Sequence, residues 1–326
     1  MRQEPPTIRR PLEPRVVTIQ QLAALVNLPV NQLDRFVLEA PKLYSSFEVP
    51  KPNGKTRTIR PPARPLRDLQ RMLLEVLQEC VRYPRWLMGG VPKRSIFDHA
   101  KPHVGWKMVA TFDVKAFFPS TRSAMIRPVL ERIGISDAAA DAVLRLVIKD
   151  DELPQGSPTS GFLANLTLEP ADRRIDALCR RHGLNFTRYV DDMAISGNTD
   201  LTKFQGAIVE AVKESGYEVA PEKIHYMDRS KTQLITKLRV NDKIRPTREF
   251  IAEVKADIWE CLNVGAAVVA IERGVQLHRL KSSLTGKVSH IRSADREAGE
   301  KLKGMLYGVD WNQQLHTKFD VPSLTA

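Results

Sequence analysis

The chain has 326 residues and a formal net charge of +12, with a sequence pI of about 9.7. This length allows a sizeable core divided over several subdomains. The excess of basic residues indicates a protein that binds a polyanion, and the alternative is a basic protein without such a partner. The cysteines, Cys80, Cys179 and Cys261, are far apart. Their spacing argues against a zinc knuckle or a disulfide framework. With no long apolar run or signal segment, the sequence predicts a cytoplasmic protein without membrane contact.

The N-terminal third begins with a Pro- and Arg-rich stretch, residues 1–16, which we interpret as a flexible basic arm. Thr18 and Gln21 form a capping-box pattern that predicts a helix, and a second helix is expected over 30–38. Two short strands flank Asn53-Gly54, which is a strong hairpin signal. A long amphipathic helix with helical spacing of apolar residues follows from Leu66 to Cys80.

The middle of the chain alternates strands and helices. A strand is expected to end at Asp113, followed by helices near 121–133 and 137–149 and by a long helix after Ser160 that Pro170 should kink or divide. A helix near 200–215, a strand near 217–227 and a hairpin through 241–243 complete the pattern. From about Thr247 the sequence has helical periodicity with many cations.

The segment Tyr189-Val190-Asp191-Asp192 contains two adjacent carboxylates and lies between two short, mainly apolar runs, 184–188 and 193–197. The pattern predicts a hairpin with both acids at its tip, and Asp113 at the end of another strand is a third candidate. Carboxylates on neighbouring strand ends can hold two divalent cations, which phosphoryl transfer requires. The alternative is that Asp191 and Asp192 form a solvated turn and that Asp113 caps a helix.

A Pro-, Gly- and Ser-rich loop, Leu153 to Ser160, opens the long helix. Such a loop lets backbone approach a base and sugar closely and directs N–H groups at phosphate. With this loop, the segments Phe112 to Ser120 and Tyr189 to Asp192 resemble, in order and spacing, the palm motifs of reverse transcriptases. The resemblance extends over about residues 45–250.

The resemblance implies roles for individual residues. Asp113, Asp191 and Asp192 would be catalytic, and together with Val114 they would bind two Mg²⁺ ions, or Mn²⁺ in their place. Phe118 would exclude the 2′-hydroxyl of a ribonucleotide, and the remaining nucleotide-binding residues would be Lys51, Arg57, Gln155 and Lys223. The alternatives are that Phe117 and Phe118 are core residues, that Gln155 is an exposed amide and that the basic hairpin is a solvated charged surface.

Two further motifs resemble retron reverse transcriptases in particular. His99-Ala100-Lys101-Pro102-His103 is similar to the Asn-Ala-x-x-His element, with His99 in place of Asn. Ile235-Thr236-Lys237 lies where retron enzymes have Val-Thr-Gly. We interpret His99 and His103 themselves as structural residues, since no third metal ligand lies nearby.

The implied fold is an α+β right-hand polymerase with fingers over 17–105, a palm with an antiparallel sheet flanked by helices over 106–246, and a helical thumb with a C-terminal tail over 247–326. The implied function is RNA-directed DNA synthesis from a dedicated noncoding RNA that serves as template and primer, with deoxynucleotide triphosphates as substrates and an RNA–DNA product. An accessory effector protein and a role in anti-phage defence would accompany it. Alternatives are a defence-associated or group II intron-like reverse transcriptase with different priming, or a non-catalytic RNA-binding protein.

Overall fold

The computed structural model describes residues 8, 11–50, 54 and 56–312. The chain divides into two compact units, Met1–Gln233 and Leu234–Ala326. The second unit therefore begins with strands, before the stretch that the sequence predicts as a helical thumb. The predicted fingers, palm and thumb boundaries at 17, 106 and 247 stay predictions.

The first unit contains nine α-helices and six strands among the described residues. The helices are α1 (Ile19–Leu25), α2 (Val30–Glu39), α3 (Arg64–Glu79), α4 (Ile96–Ala100), α5 (Phe117–Ser120), α6 (Ser123–Ile133), α7 (Asp137–Val147), α8 (Ser160–Arg181) and α9 (Gln205–Glu214). The strands are β1 (Phe47–Pro50), β2 (Thr56–Ile59), β3 (Met108–Asp113), β4 (Asn185–Tyr189), β5 (Asp192–Gly197) and β6 (His225–Asp228). Thr18 and Gln21 form the predicted capping box at α1.

A four-stranded antiparallel sheet in the order β4-β5-β3-β6 lies at the centre of the first unit. Buried apolar residues of β3 and β5, including Ala110, Phe112, Met193 and Ile195, belong to a core that α6, α7 and α8 share. The strand predicted near 217–227 is shorter than expected. Only His225–Asp228 pairs regularly with β3, and Val219 forms an isolated bridge with Val114.

Helix α8 is continuous over 22 residues with Pro170 inside it. Of the two predicted outcomes, division of the helix is therefore wrong, and a kink at Pro170 stays a prediction. Proline lacks the N–H that would bond the carbonyl four residues earlier, which here belongs to Leu166. Arg132 donates a hydrogen bond to that carbonyl at 3.3 Å. An external donor therefore replaces the missing helical bond, and the helix continues.

The second unit has its own core. Three short strands, β7 (Leu234–Ile235), β8 (Leu238–Arg239) and β9 (Arg245–Pro246), form an antiparallel sheet. Four helices follow: α10 (Arg248–Glu260), α11 (Ala266–Glu272), α12 (Leu277–Ala294) and α13 (Arg296–Tyr307), with a π-helical segment, Cys261–Gly265, between α10 and α11. Val254, Ile258, Val269, Leu284 and Ile291 form the centre of this core.

No helix in the described part of the chain has the length and apolar character needed to cross a membrane. The cysteines Cys80, Cys179 and Cys261 are free and buried.

Candidate active site

The three predicted acidic residues come together at one end of the four-stranded sheet. The antiparallel register of β3 and β5 sets Asp113 opposite Asp192. The backbone N–H of Val114 donates to the carbonyl of Asp191 at 3.0 Å, and that of Ala220 donates to the carbonyl of Asp113 at 2.8 Å. Main-chain hydrogen bonds therefore assemble the acidic cluster, and the carboxylates themselves are left for other partners.

The turn between β4 and β5 has an uncommon backbone conformation. We call β4, this turn and β5 the acidic hairpin (Asn185–Gly197). Val190, at the turn, has a φ of 60°, in the left-handed region. This region is unfavourable for a β-branched residue, and such conformations persist only where the surroundings hold them. The surroundings of Val190 therefore determine where Asp191 and Asp192 point.

Arg188 is the main side chain that holds this turn. It is 0% exposed, and its guanidinium donates to the carbonyl of Val190 at 2.6 Å and to the side-chain oxygen of Asn165 at 2.8 Å. The same guanidinium makes a bidentate ion pair with buried Asp172, at 2.8 Å and 2.6 Å. Burial raises the pKa of Asp172 despite the opposing effect of Arg188. The pair is stabilised by a complete set of hydrogen bonds, as a buried charge requires.

The segment Trp86–Gly89 runs beside strand β4 of the acidic hairpin and is joined to it by main-chain hydrogen bonds. Arg188 N–H donates to the Trp86 carbonyl at 2.8 Å, and Met88 N–H donates to the Arg188 carbonyl at 2.7 Å. Asn165 donates its side-chain N–H to the Gly89 carbonyl at 2.9 Å. A Cβ atom at position 89 would overlap the backbone of Val190. Glycine is therefore required where this segment meets the turn.

The acidic cluster carries more negative charge than its surroundings stabilise. Burial, followed by the charges of Asp191 and Asp113, raises the pKa of Asp192 to about 7. Burial and the charge of Asp113 also raise the pKa of Asp191, with smaller opposing effects from Lys223 and Arg57. Lys223 Nζ lies 2.5 Å from Asp113 Oδ1. Burial lowers the pKa of Lys223, but the hydrogen bond to Asp113 and the nearby carboxylates outweigh it, and the net shift is upward.

The donor set fits a hard divalent cation. Carboxylate and carbonyl oxygens are the ligands that Mg²⁺ and Mn²⁺ prefer, and a cation between them would relieve the repulsion that raises these pKa values. The ammonium group of Lys223 already occupies one oxygen of Asp113 as a positive counter-charge. Within the described residues, no three His, Cys, Asp or Glu side chains stand as they would around a metal ion.

The predicted nucleotide-binding residues lie at different distances from the acids. Arg57, on β2, is close enough for its charge to act on Asp191. Gln155 bonds through its carbonyl to the N–H of Arg60 at 2.7 Å, which joins the loop Leu153 to Ser160 to the β1–β2 hairpin. Lys51 lies outside the described residues.

Phe117 and Phe118 lie on the helical turn α5 and not on a strand, so alternation along a strand does not separate them. Phe117 is buried, and its ring lies 5.4 Å from that of Tyr217. Phe118 is half-buried, with its ring 5.7 Å from that of Phe117. Phe117 is thus the core residue of the two, and Phe118 is the one with a partly open face.

His99 and His103 are both buried and join the helical segment before β3 to the acidic hairpin. Thr187 Oγ1 lies 2.7 Å from His99 Nδ1 and 2.8 Å from His103 Nε2. Ser196 Oγ lies 2.8 Å from His103 Nδ1. These contacts agree with the interpretation of both histidines as structural residues.

Arg188, Asp172 and Asn165 are site-supporting residues that the sequence reading missed. A signal was present. Arg188 stands two residues after Phe186 and so on the same face of its strand, and Asn165 and Asp172 are seven residues apart on one face of their helix. Polar residues at positions that periodicity assigns to the core are candidates for a buried network.

Comparisons with known proteins identify the family of this chain. Residues 49–245 match the family model described as reverse transcriptase (RNA-dependent DNA polymerase). Retron Mx65 reverse transcriptase of Myxococcus xanthus is 30% identical over 87% of this chain and 70% of its own length. Retron Ec48 reverse transcriptase of Escherichia coli is 27% identical over 95% of this chain and 80% of its own. Retron Ec86 reverse transcriptase of Escherichia coli is 25% identical over 75% and 78%.

A solved structure of telomerase from Candida albicans, in complex with a fragment of telomeric RNA, superposes on 80% of this chain and 65% of its own, with 10% identity and a TM-score of 0.47. The fold is that of an α+β polymerase. The chain belongs to the reverse transcriptase family and is an RNA-directed DNA polymerase of the retron type.

Proposed function

We propose that Asp113, Asp191 and Asp192 form the catalytic centre of this polymerase and bind two Mg²⁺ ions, with the main chain of Val114 as a further ligand. Reverse transcriptases use divalent metal ions. The observation that carries the proposal is the convergence of three partly or fully buried carboxylates at one end of the sheet. Burial and the charges of the neighbouring acids raise the pKa values of two of them, Asp191 and Asp192. Bound there, Mg²⁺ would activate the attacking primer hydroxyl and stabilise charge on the leaving pyrophosphate.

The protein itself would contribute position and charge. Arg57, together with Lys51, would bind the triphosphate, for which a guanidinium offers bidentate hydrogen bonds. Lys223 would neutralise negative charge beside Asp113, where it already makes an ion pair. Gln155 would contact the incoming nucleotide from the loop that its carbonyl joins to the β1–β2 hairpin.

The test is primer extension with purified protein and Mg²⁺. We expect the variant Asp191→Asn with Asp192→Asn to lose activity by several orders of magnitude, because amides cannot replace the two negative charges. Asp200→Asn, at an exposed turn of the same unit, is the matched control and should extend normally. Equal extension by the double variant and the control would contradict the assignment of Asp191 and Asp192 to the catalytic centre.

Phe118 would set the preference for deoxynucleotides, because a phenyl ring against the sugar leaves no room for a 2′-hydroxyl. We expect Phe118→Ala to incorporate ribonucleotides at least about tenfold more efficiently relative to deoxynucleotides, a change of about 1.4 kcal/mol in discrimination. Competitive incorporation assays measure this ratio. An unchanged ratio would assign the discrimination to another side chain, with Phe117 as the first alternative.

We further propose that a dedicated noncoding RNA serves as both template and primer, that priming from an internal 2′-hydroxyl gives a branched RNA–DNA product, and that an accessory effector acts with the enzyme in anti-phage defence. The three relatives described above are named as retron reverse transcriptases, which supports the retron part of this assignment. The free cysteines are compatible with a cytoplasmic location. Sequencing the nucleic acid that copurifies from the host would test it. Recovery of only unrelated cellular RNA would contradict it.

A further inference from the structure

The helix α12 in the second unit is strongly basic. It carries Arg279, Lys281, Lys287 and Arg292 and has no Asp or Glu along its length. Lys287 is neutralised by Glu253 and Asp257 of α10, and Arg292 by Glu300 of α13. In the described part of the chain, Lys281 has no acidic partner, and neither does Lys303 on the neighbouring helix α13. Their charges are therefore available to a ligand.

A cleft lies between α12 and α13, with a volume of about 350 Å³. We call it the basic cleft, and the residues that define its chemistry are Lys281, Thr285, Arg292, Lys303, Tyr307 and Trp311. The volume lies within the range of small-ligand sites, about 300–1,000 Å³. Cations, a hydroxyl and aromatic rings thus line one cavity.

The aromatic residues of the basic cleft are placed beside its unpaired cations. Lys281 Nζ lies 5.8 Å from the centre of the Trp311 ring, and Lys303 Nζ lies 5.4 Å from that of Tyr307. Tyr307 is 78% exposed, so the core does not require its ring. An exposed aromatic ring flanked by cations offers a stacking surface next to a site for an anion.

This combination matches the chemistry of an unpaired nucleotide. A base has a flat π face and an adjoining phosphate, and single-stranded nucleic acids are bound by stacking on aromatic side chains together with backbone contacts from cations. Duplex backbone would use the cations but not the rings, because its bases are already stacked on each other. An acidic peptide would likewise have no use for two aromatic rings beside the lysines.

We propose that the basic cleft binds an unpaired nucleotide of single-stranded RNA, with its base stacked on Tyr307 and Trp311 and its phosphate held by Lys281 and Lys303. This inference rests on the proposed function only in that the ligand is RNA. It adds a contact to single-stranded RNA that is separate from the acidic cluster.

Fluorescence anisotropy with a labelled oligouridine of about ten nucleotides would test the site, with an RNA duplex of equal length as the comparison. We expect Tyr307→Ala, and separately Lys281→Gln with Lys303→Gln, to weaken single-strand binding at least about fivefold and duplex binding less. The matched controls are Trp259→Ala, which removes another exposed aromatic ring, and Lys301→Gln, which removes an exposed cation of α13 that pairs with Glu297. Both controls should bind like the wild type.

Photo-crosslinking of wild-type protein to oligouridine containing 5-iodouridine gives a readout that needs no variant. Crosslinks at Tyr307 or Trp311 support the proposal. Equal affinities of Tyr307→Ala and Trp259→Ala for RNA would overturn the proposal, and so would equal losses of single-strand and duplex binding. Crosslinks confined to other residues would also overturn it. Binding of an acidic peptide in place of RNA would assign the cleft to a protein partner.

Primer extension at saturating primer–template, measured on the same preparations, separates the two proposals. Extension by the wild type with no selective loss of single-strand binding in Tyr307→Ala would overturn only the basic cleft. Selective loss of binding in a protein that does not extend would support the cleft and contradict the proposed catalysis.

Discussion

Arg188 is a buried cation whose partners define the turn that carries Asp191 and Asp192. Its guanidinium bonds to Asp172, Asn165 and the carbonyl of Val190 at once. A lysine could not make this set, because an ammonium group lacks the planar fork that spans the three acceptors. Arg188 is therefore a positioning residue, and its effect on stability can be separated from its effect on catalysis.

We expect Arg188→Met to lower the free energy of unfolding by about 3–5 kcal/mol, because Asp172 would be left buried without a counter-charge. Adding Asp172→Leu removes that charge and should recover most of the stability. Activity should stay low in both variants, since the carbonyl of Val190 loses its donor in each. Urea unfolding and single-turnover extension measure the two quantities. Recovery of activity together with stability would show that Arg188 contributes only to folding.

The buried histidines predict a dependence of stability on pH. Burial, with a smaller contribution from the charge of Arg188, lowers the pKa of His99 to about 3 from an ordinary value of 6.5. Burial, then the proximity of His99, lowers the pKa of His103 as well. Below pH 6.5 the unfolded chain therefore binds protons that the folded chain does not, and the free energy of unfolding falls as the pH falls from 6.5 towards 3.

The variant His99→Asn tests this dependence, because asparagine does not take up a proton in this range and is the residue that the resembled retron element has at this position. The loss approaches about 1.4 kcal/mol per pH unit for each such histidine, so the variant should lose less stability between about pH 6 and pH 4 than the wild type. Urea unfolding at several pH values measures the slopes. Parallel slopes would assign the acid sensitivity to other groups.

At the scale of elements, the sequence predicted the helices α1, α2, α3, α6 and α7 and the acidic hairpin, because local caps, turns and periodicity determine them. It was less successful where a distant partner decides. In α8, Arg132 bonds the carbonyl that Pro170 leaves without its helical donor. Of the strand predicted near 217–227, only His225–Asp228 pairs with β3. The approach of Trp86–Gly89 to the acidic hairpin had no local signal at all.

That approach makes Gly89 a sensitive position. A Cβ there would lie 2.8 Å from the carbonyl carbon of Tyr189, so Gly89→Ala should displace the turn that carries the acids. Misplacement of reacting groups by about 1 Å can lower a rate about 100-fold, and we expect a loss of this size in kcat. The matched control is Gly206→Ala on α9, where an added Cβ has no neighbour within 4 Å. Equal activity of the two variants would show that the turn tolerates the displacement.

At the scale of the whole molecule, the convergence of three acids from separate segments was predictable because the strand pattern placed each at a strand end. In the second unit, β8 and β9 confirm the predicted hairpin through 241–243, and α10 confirms the helical pattern from about Thr247. The start of this unit at Leu234 was not predicted, because the two-residue pairing of β7 is too brief to give a clear periodicity. The exposure of Tyr307 was not predicted either, because helical periodicity alone does not show which aromatic rings the core leaves uncovered.

The net charge of +12 predicts that RNA binding depends strongly on salt. Each phosphate that the protein neutralises releases counterions, so the logarithm of the binding constant should fall linearly with that of the salt concentration, by about 0.7–0.9 per contact. Anisotropy titrations between about 50 and 200 mM KCl would measure the slope. An affinity that does not change over this range would show that the basic excess serves another purpose than RNA binding.

The acids are brought together by main-chain hydrogen bonds of Val114, Asp191, Asp113 and Ala220, while the carboxylates contribute repulsion. Conversion of the acids to amides should therefore leave the scaffold intact or make it more stable. A variant of this chain with an inactive acidic cluster would therefore still bind RNA. It would compete with active copies for that RNA, so a substitution in the cluster would convert the polymerase into its own competitive inhibitor.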